Sequence, residues 1–145
     1  MASRVHSAVR RAPRRRVRDP KVVKAYWKIW QGLPCEYGLL HGELCRGEEL
    51  NHILCGSAKE DAFWNFFIMC AHHHRDNHDG FHGVNGRAMR KEILEAKLEQ
   101  GFILPREAYA YLDEGIDGAP DVELDPEGDR IIAEVRAEAV LGLIS

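Results

Sequence analysis

The sequence predicts an α+β fold that is mainly helical, with a short antiparallel hairpin and one helix at its core and further helices around them. Two strand-like segments predict the hairpin, one over residues 50–54 and one that ends at Met69. A histidine-rich segment follows directly. In most of the remaining chain apolar residues recur with helical spacing, which favours helices there.

Local signals justify the elements of the first half of the chain. Asp19-Pro20 combines an N-cap residue with a proline in the first turn, and this pair predicts a helix that stops before Gly32. A glycine-punctuated loop leads to the first strand. Residues 71–78 are expected to form a helix that carries the histidines, because Gly80 can end it.

The second half of the chain contains further helical patterns. Residues 86–100 and 130–143 are amphipathic, and residues 105–113 open with a proline that favours a shorter helix. Residues 115–129 are rich in glycine, proline and aspartate and predict a linker. Aromatic residues are expected to supply most of the small core: Trp27, Trp30, Phe63, Trp64, Phe66 and Phe67.

Charge divides the 145-residue chain into three parts. Residues 1–19 form a basic arm without a hydrophobic pattern, residues 20–112 form the main domain, and residues 113–145 form an acidic linker and terminal helix. Six arginines of the arm are expected to bind the nucleic-acid backbone: Arg10, Arg11, Arg14, Arg15, Arg16 and Arg18. The alternative is an arm that only aids solubility.

The sequence shows neither a membrane-spanning segment nor a signal peptide. No apolar run approaches the roughly 20 residues that span a bilayer, and no apolar stretch follows the basic N-terminus as in a signal peptide. We therefore expect a cytoplasmic protein that does not enter a membrane. The four cysteines are then expected to be metal ligands or buried thiols rather than disulfides.

Cys70-x-x-His73 has the spacing of half a zinc knuckle. The other half should come from upstream, where Cys35 is the first choice and Cys45 the preferred fourth ligand. Two other residues, His41 and Cys55, are rivals for that fourth position. The alternative is that these cysteines are small buried apolar residues.

A second group of histidines suggests a catalytic ion. His74 and His78 are four residues apart, so on a helix their imidazoles share one face and can bind one metal ion that keeps open positions. His82 is an alternative ligand, although Gly80 makes a continuous helix to it improbable on sequence grounds. His52, beside the predicted strand, could accept a proton from water, or it could be an inert core histidine.

These residues resemble the HNH endonucleases, whose ββα-metal fold places two antiparallel strands and a helix around one ion. The matching residues cover about positions 33–82. They are Asn51-His52, Asn65 and the run Cys70-Ala71-His72-His73-His74-Arg75-Asp76-Asn77-His78. The layout, with its arginine-rich arm, is also similar to small HNH proteins of bacteriophages and prophages.

The resemblance implies a role for each matching residue. His52 corresponds to the general base, and Asn65 to the asparagine that holds the base-bearing loop. His74 and His78 correspond to the helical metal ligands. Asn51 stands where the family has a third ligand, histidine or aspartate, and as an uncharged amide it would make a weaker site. The zinc knuckle also departs from the pattern, since His73 and Gly38 replace cysteines.

The resemblance therefore implies a metal-dependent endonuclease that hydrolyses DNA phosphodiester bonds with one divalent ion, Mg²⁺, Mn²⁺, Ni²⁺ or Zn²⁺, and contains a structural Zn²⁺. Arg75 and Arg87 would contact DNA phosphates, and a phage large terminase is a candidate partner. One alternative is a zinc-stapled nucleic-acid-binding module with weak or no catalysis. Another is an interaction protein whose acidic segment docks a partner enzyme.

Overall fold

The computed structural model describes residues 18–56 and 59–144. In chain order its helices and strands are α1 (Pro20–Trp30), α2 (Glu36–Leu40), β1 (Glu49–His52), β2 (Phe66–Met69), α3 (Ala71–Arg75), α4 (Gly86–Glu99) and α5 (Pro126–Ile144). Short 3-10 helices cover Phe63–Asn65, Arg106–Tyr111 and Ile116–Gly118. The predicted α+β class and mainly helical content are confirmed. Most of the basic arm, including Arg10, Arg11, Arg14, Arg15 and Arg16, lies outside the described residues.

The predicted antiparallel hairpin is confirmed. β1 pairs with β2 in a register that runs from Glu49 opposite Met69 to His52 opposite Phe66. All four residues of β2 are apolar and buried, as expected of a strand covered on both faces. Beyond the last pair, the N–H of Ile53 donates to the carbonyl of Asn65 at 2.8 Å. This hydrogen bond extends the pairing by one residue on each side of the hairpin.

The helix α1 forms as its sequence signals predict. The side chain of Asp19 accepts a hydrogen bond from the N–H of Lys21, and Pro20 occupies the first helical position. One face of the helix buries Tyr26 and Trp30. Gly32 then takes a positive φ of 78°, a conformation that glycine adopts without strain.

Helix α5 begins four residues earlier than predicted, at Pro126 rather than Arg130. Asp125 explains the difference, because its side chain accepts the N–H of Gly128 at 3.0 Å and so caps the helix. Part of the predicted linker is therefore helical. The buried face of α5, with Ala133, Ala137 and Val140, joins the core, and α5 packs against α1.

A buried carboxylate links the hairpin to the helices. The side chain of Glu36 is fully buried and accepts hydrogen bonds from the hydroxyl of Tyr26 at 2.5 Å and the N–H of Ile68 at 2.8 Å. Arg136 of α5 lies 3.8 Å away. One acid therefore ties β2 to α1, α2 and α5.

Among the described residues, no helix combines the length and the apolar character that crossing a bilayer requires.

Candidate metal centre and candidate active site

The structure brings together the four predicted zinc ligands. Cys35, Cys45, Cys70 and His73 each offer one ligand atom, and these atoms all lie within 4.8 Å of one another. The Nδ1 atom of His73 is 3.2 Å from the sulfur of Cys70, 3.5 Å from that of Cys45 and 3.6 Å from that of Cys35. We call this group the Cys3His cluster.

The donor set and spacing of the Cys3His cluster fit a metal such as zinc. Tetrahedral zinc with bonds of about 2.3 Å to sulfur and 2.0–2.1 Å to nitrogen holds those atoms about 3.5 Å apart. The observed separations of 3.2 to 3.6 Å bracket that value. Four protein ligands complete a tetrahedron, which is typical of a structural metal site.

Local backbone structure positions the cysteines of the cluster. Cys35 precedes α2 and accepts the N–H of Gly38 at 3.3 Å, while Cys70 precedes α3 and accepts the N–H of His73 at 3.3 Å. A Cβ atom at Gly38 would lie 2.5 Å from the sulfur of Cys45. Position 38 must therefore be small, and the sulfur of Cys45 lies where the side chain of a cysteine at 38 would begin.

A carboxylate orients the imidazole of the cluster. The Nε2 atom of His73 lies 3.3 Å from Oε1 of Glu43, so Nε2 carries the proton and Nδ1 presents its lone pair to the three sulfurs. Burial lowers the pKa of His73, which keeps that lone pair available. Burial and the neighbouring Cys35 raise the pKa of Cys45 to about 12, so a bound cation is needed to hold the thiolate form.

The rivals for the fourth zinc ligand are not part of this cluster. Cys55 is exposed and donates to the carbonyl of His52 at 3.5 Å. His41 pairs with Glu92 at 2.8 Å. The structure therefore favours Cys45, the preferred choice from the sequence.

The helix that was predicted to pair His74 with His78 is shorter than expected. Helix α3 ends at Arg75, because the side chain of Asp76 accepts the N–H groups of His78 and Asp79 at 3.0 and 2.9 Å and turns the chain. His78 is exposed and lines a surface cavity near the Cys3His cluster. Without a continuous helix, the spacing of four residues no longer places the two imidazoles on one face.

His82 lies next to His74. Its Nε2 atom lies 3.1 Å from Nε2 of His74, and its N–H donates to the carbonyl of His74 at 3.1 Å. On the other side of the His74 ring, Nδ1 lies 2.8 Å from Oε1 of Glu49. Sequence reasoning ranked His82 low and missed Glu49, although Glu49 lies two residues before Asn51 and so on the same face of β1.

Glu49 orients the ring of His74. The carboxylate also accepts two hydrogen bonds from Arg75, at 3.0 and 2.6 Å, and the hydrogen bonds from Arg75 and His74 lower the pKa of Glu49. A charged Glu49 accepts a hydrogen bond from Nδ1–H of His74, so the lone pair on Nε2 points toward His82. His74 and His82 together can supply two nitrogen ligands and leave other positions open.

His52 contacts a different carboxylate. Its Nε2 atom lies 2.7 Å from Oδ1 of Asp61, and its ring packs edge-on against Phe66. The other oxygen of Asp61 accepts the N–H of Asp19 at 2.7 Å. Burial favours the neutral acid, but the hydrogen bonds from His52 and Asp19 outweigh it and lower the pKa of Asp61. No sequence pattern singled out Asp61, which comes nine residues after His52.

The two asparagines of the pattern are both buried but differ in their contacts. Asn65 accepts the N–H of Leu54 at 2.7 Å and donates to the carbonyls of Leu54 at 3.2 Å and Glu60 at 2.9 Å. It therefore holds the loop that follows His52. Asn51 lies in β1 opposite Phe67, and its Nδ2 atom has no hydrogen-bond partner among residues 18–56 and 59–144.

The histidines of the predicted site therefore form two hydrogen-bonded groups with different carboxylates. One contains His52 and Asp61, and the other contains His74, His82 and Glu49. A comparison of the chain with protein-family models, with curated proteins and with solved structures found no match.

Proposed function

We propose that the protein is a metal-dependent endonuclease of the HNH type that hydrolyses phosphodiester bonds in DNA, with β1, β2 and α3 as its ββα-metal core. The observation that carries this proposal is the triple hydrogen bonding of Asn65 to the loop after His52. A buried amide committed to that loop fixes the imidazole at its start. The HNH resemblance gives the same task to this asparagine.

His52 is the general base of the proposed reaction. Its hydrogen bond to Asp61 places the proton on Nε2, so Nδ1 is the basic nitrogen that accepts a proton from water. Asp61 also stabilises the imidazolium form that results. The ring is half-buried against Phe66, which limits its rotation.

His74 and His82 are the proposed ligands of the catalytic divalent ion, which replaces the predicted set of Asn51, His74 and His78. When bound, such an ion polarises a phosphate oxygen and stabilises charge on the leaving oxygen. Glu49 holds His74 in the tautomer that can bind it. The Cys3His cluster is proposed to carry a structural zinc that fastens residues 35–45 to the start of α3.

Plasmid nicking tests the proposal. Supercoiled plasmid is incubated with the zinc-loaded protein and Mg²⁺, Mn²⁺ or Ni²⁺, and wild type is compared with His52→Ala. We expect the variant to nick about 10²–10⁴-fold more slowly. His41→Ala is the matched control, since His41 also pairs with a carboxylate but lies outside both groups. Equal rates for wild type and His52→Ala would refute the role of His52, and no nicking with any metal would refute the nuclease.

A second candidate function is a zinc-stapled nucleic-acid-binding module without catalysis. The sequence led us to expect His52 and His74 around one ion. In the structure His52 instead contacts Asp61 and His74 contacts Glu49, which favours this second candidate. DNA binding without nicking under every metal would support it. The phage large terminase as partner and the cytoplasmic location stay predictions of the sequence.

A further inference from the structure

Arg90 of α4 is held by three contacts. Its guanidinium carbon lies 4.7 Å from the ring centre of Phe81 and 5.0 Å from that of Tyr111. Its Nε atom donates to the carbonyl of Ile53 at 2.8 Å. Stacking and this hydrogen bond fix the plane of the guanidinium, so little conformational entropy is lost when its remaining donors bind a ligand.

The charge of Arg90 has no anionic partner in the described part of the chain. The ion pairs found there join other residues, and none includes Arg90. Arg87 adds a second positive charge, 5.2 Å from the ring centre of Tyr111. A half-buried guanidinium without a counter-ion is unfavourable, and its terminal nitrogens suit an anion with two acceptor oxygens.

Arg90 also lies beside both groups of the proposed active site. Ile53, which accepts its hydrogen bond, directly follows His52. At the other side, the Phe81 ring on which Arg90 stacks contacts the ring of His82, with 5.4 Å between the ring centres. One side chain therefore contacts the loop of the proposed base and approaches the proposed ion ligands.

We propose that Arg90 binds a phosphodiester group of the nucleic acid and places it between His52 and the His74–His82 pair. The choice of a nucleic-acid phosphate rests on the proposed function, whereas the need for an anion follows from the contacts of Arg90 alone. Neither of the two arginines predicted for this task fits it as well. Arg75 is already paired with both oxygens of Glu49, and Arg87 is exposed with a single stacking contact.

Fluorescence anisotropy with a labelled 20-base-pair DNA duplex tests this proposal without relying on cleavage, because no catalytic metal is added. Wild type, Arg90→Gln, Arg90→Lys and Lys28→Gln are titrated between about 50 and 200 mM salt. We expect Arg90→Gln to raise Kd about tenfold and to reduce the slope of log K against log salt by about 0.9. Arg90→Lys should keep the slope and raise Kd about threefold, since ammonium lacks the planar fork.

Lys28→Gln removes the same charge from an exposed position on α1 and should leave Kd within about twofold. Equal behaviour of Arg90→Gln and Lys28→Gln would overturn the proposal. Zinc content and circular dichroism show whether Arg90→Gln is folded. If it is not, wild-type affinity of Arg90→Lys would overturn the proposal instead. A protein that never nicks plasmid but loses DNA affinity in both Arg90 variants would refute the nuclease and support the phosphate site.

Discussion

His73 and His74 are adjacent in the chain but belong to two different regions. His73 completes the Cys3His cluster and is oriented by Glu43, whereas His74 faces His82 and is oriented by Glu49. The first region holds four ligands around one point. The second brings together two imidazole nitrogens. Adjacent histidines therefore differ in their surroundings, because the His73 ring lies among three cysteine sulfurs and the His74 ring lies beside His82.

The largest effect is expected from a substitution that removes one cysteine of the Cys3His cluster. Cys35→Ser should abolish tight zinc binding and lower the melting temperature by roughly 15 °C or more, because metal binding at such sites contributes much of the folding free energy. Calorimetry of the purified variant measures the change. Cys55→Ser is the matched control, since Cys55 is an exposed thiol outside the cluster. A Cys35→Ser protein as stable as wild type would show that the cluster carries no structural metal.

A smaller effect is expected in the second region. His82→Ala should reduce metal-dependent plasmid nicking by about 100-fold, because it removes one of two protein ligands of the proposed ion. His78→Ala, at the position expected from the sequence, should keep most of the activity. The nicking rates at saturating Mn²⁺ distinguish the two variants. If His78→Ala lost the nicking activity and His82→Ala kept it, the ligands would instead be His74 and His78, as the sequence predicted.

The smallest expected effect concerns Asp129, which lies outside both regions and makes the stability of the fold depend on pH. Burial, Asp125 and Glu60 raise the pKa of Asp129 to about 7, against an opposing effect of Lys97. The folded protein favours the neutral form of this acid. Its contribution to the free energy of unfolding is therefore complete below the ordinary pKa of about 4 and is lost as the pH rises to about 7.

Asp129→Asn should therefore raise the melting temperature at pH 7.5 by roughly 5 °C and change it little at pH 4. Thermal unfolding of both proteins across that range measures the difference. A melting temperature lowered at pH 7.5 would contradict the assignment to Asp129.

The sequence predicted the parts of the molecule that depend on local signals. The N-cap and proline of α1, the hairpin and the amphipathic α4 needed only neighbouring residues. The Cys3His cluster was also predictable, because the Cys70-x-x-His73 spacing gives half of a zinc site.

The second region was predicted poorly because its geometry depends on tertiary contacts. The pairing of His74 with His78 assumed a helix that Asp76 ends after Arg75. His82 reaches His74 through backbone hydrogen bonds that follow a turn, and such a contact has no periodic signature. The carboxylates that orient histidines, such as Asp61, follow no fixed spacing from them in the sequence.

The zinc content of His73→Ala and His74→Ala tests the separation of the two regions most directly. Both proteins are loaded with zinc, dialysed, and analysed for zinc per chain by mass spectrometry. We predict that His74→Ala, like wild type, keeps one tightly bound zinc and that His73→Ala loses most of it. Retention by His73→Ala, or loss by His74→Ala, would contradict the division of these neighbours between two sites.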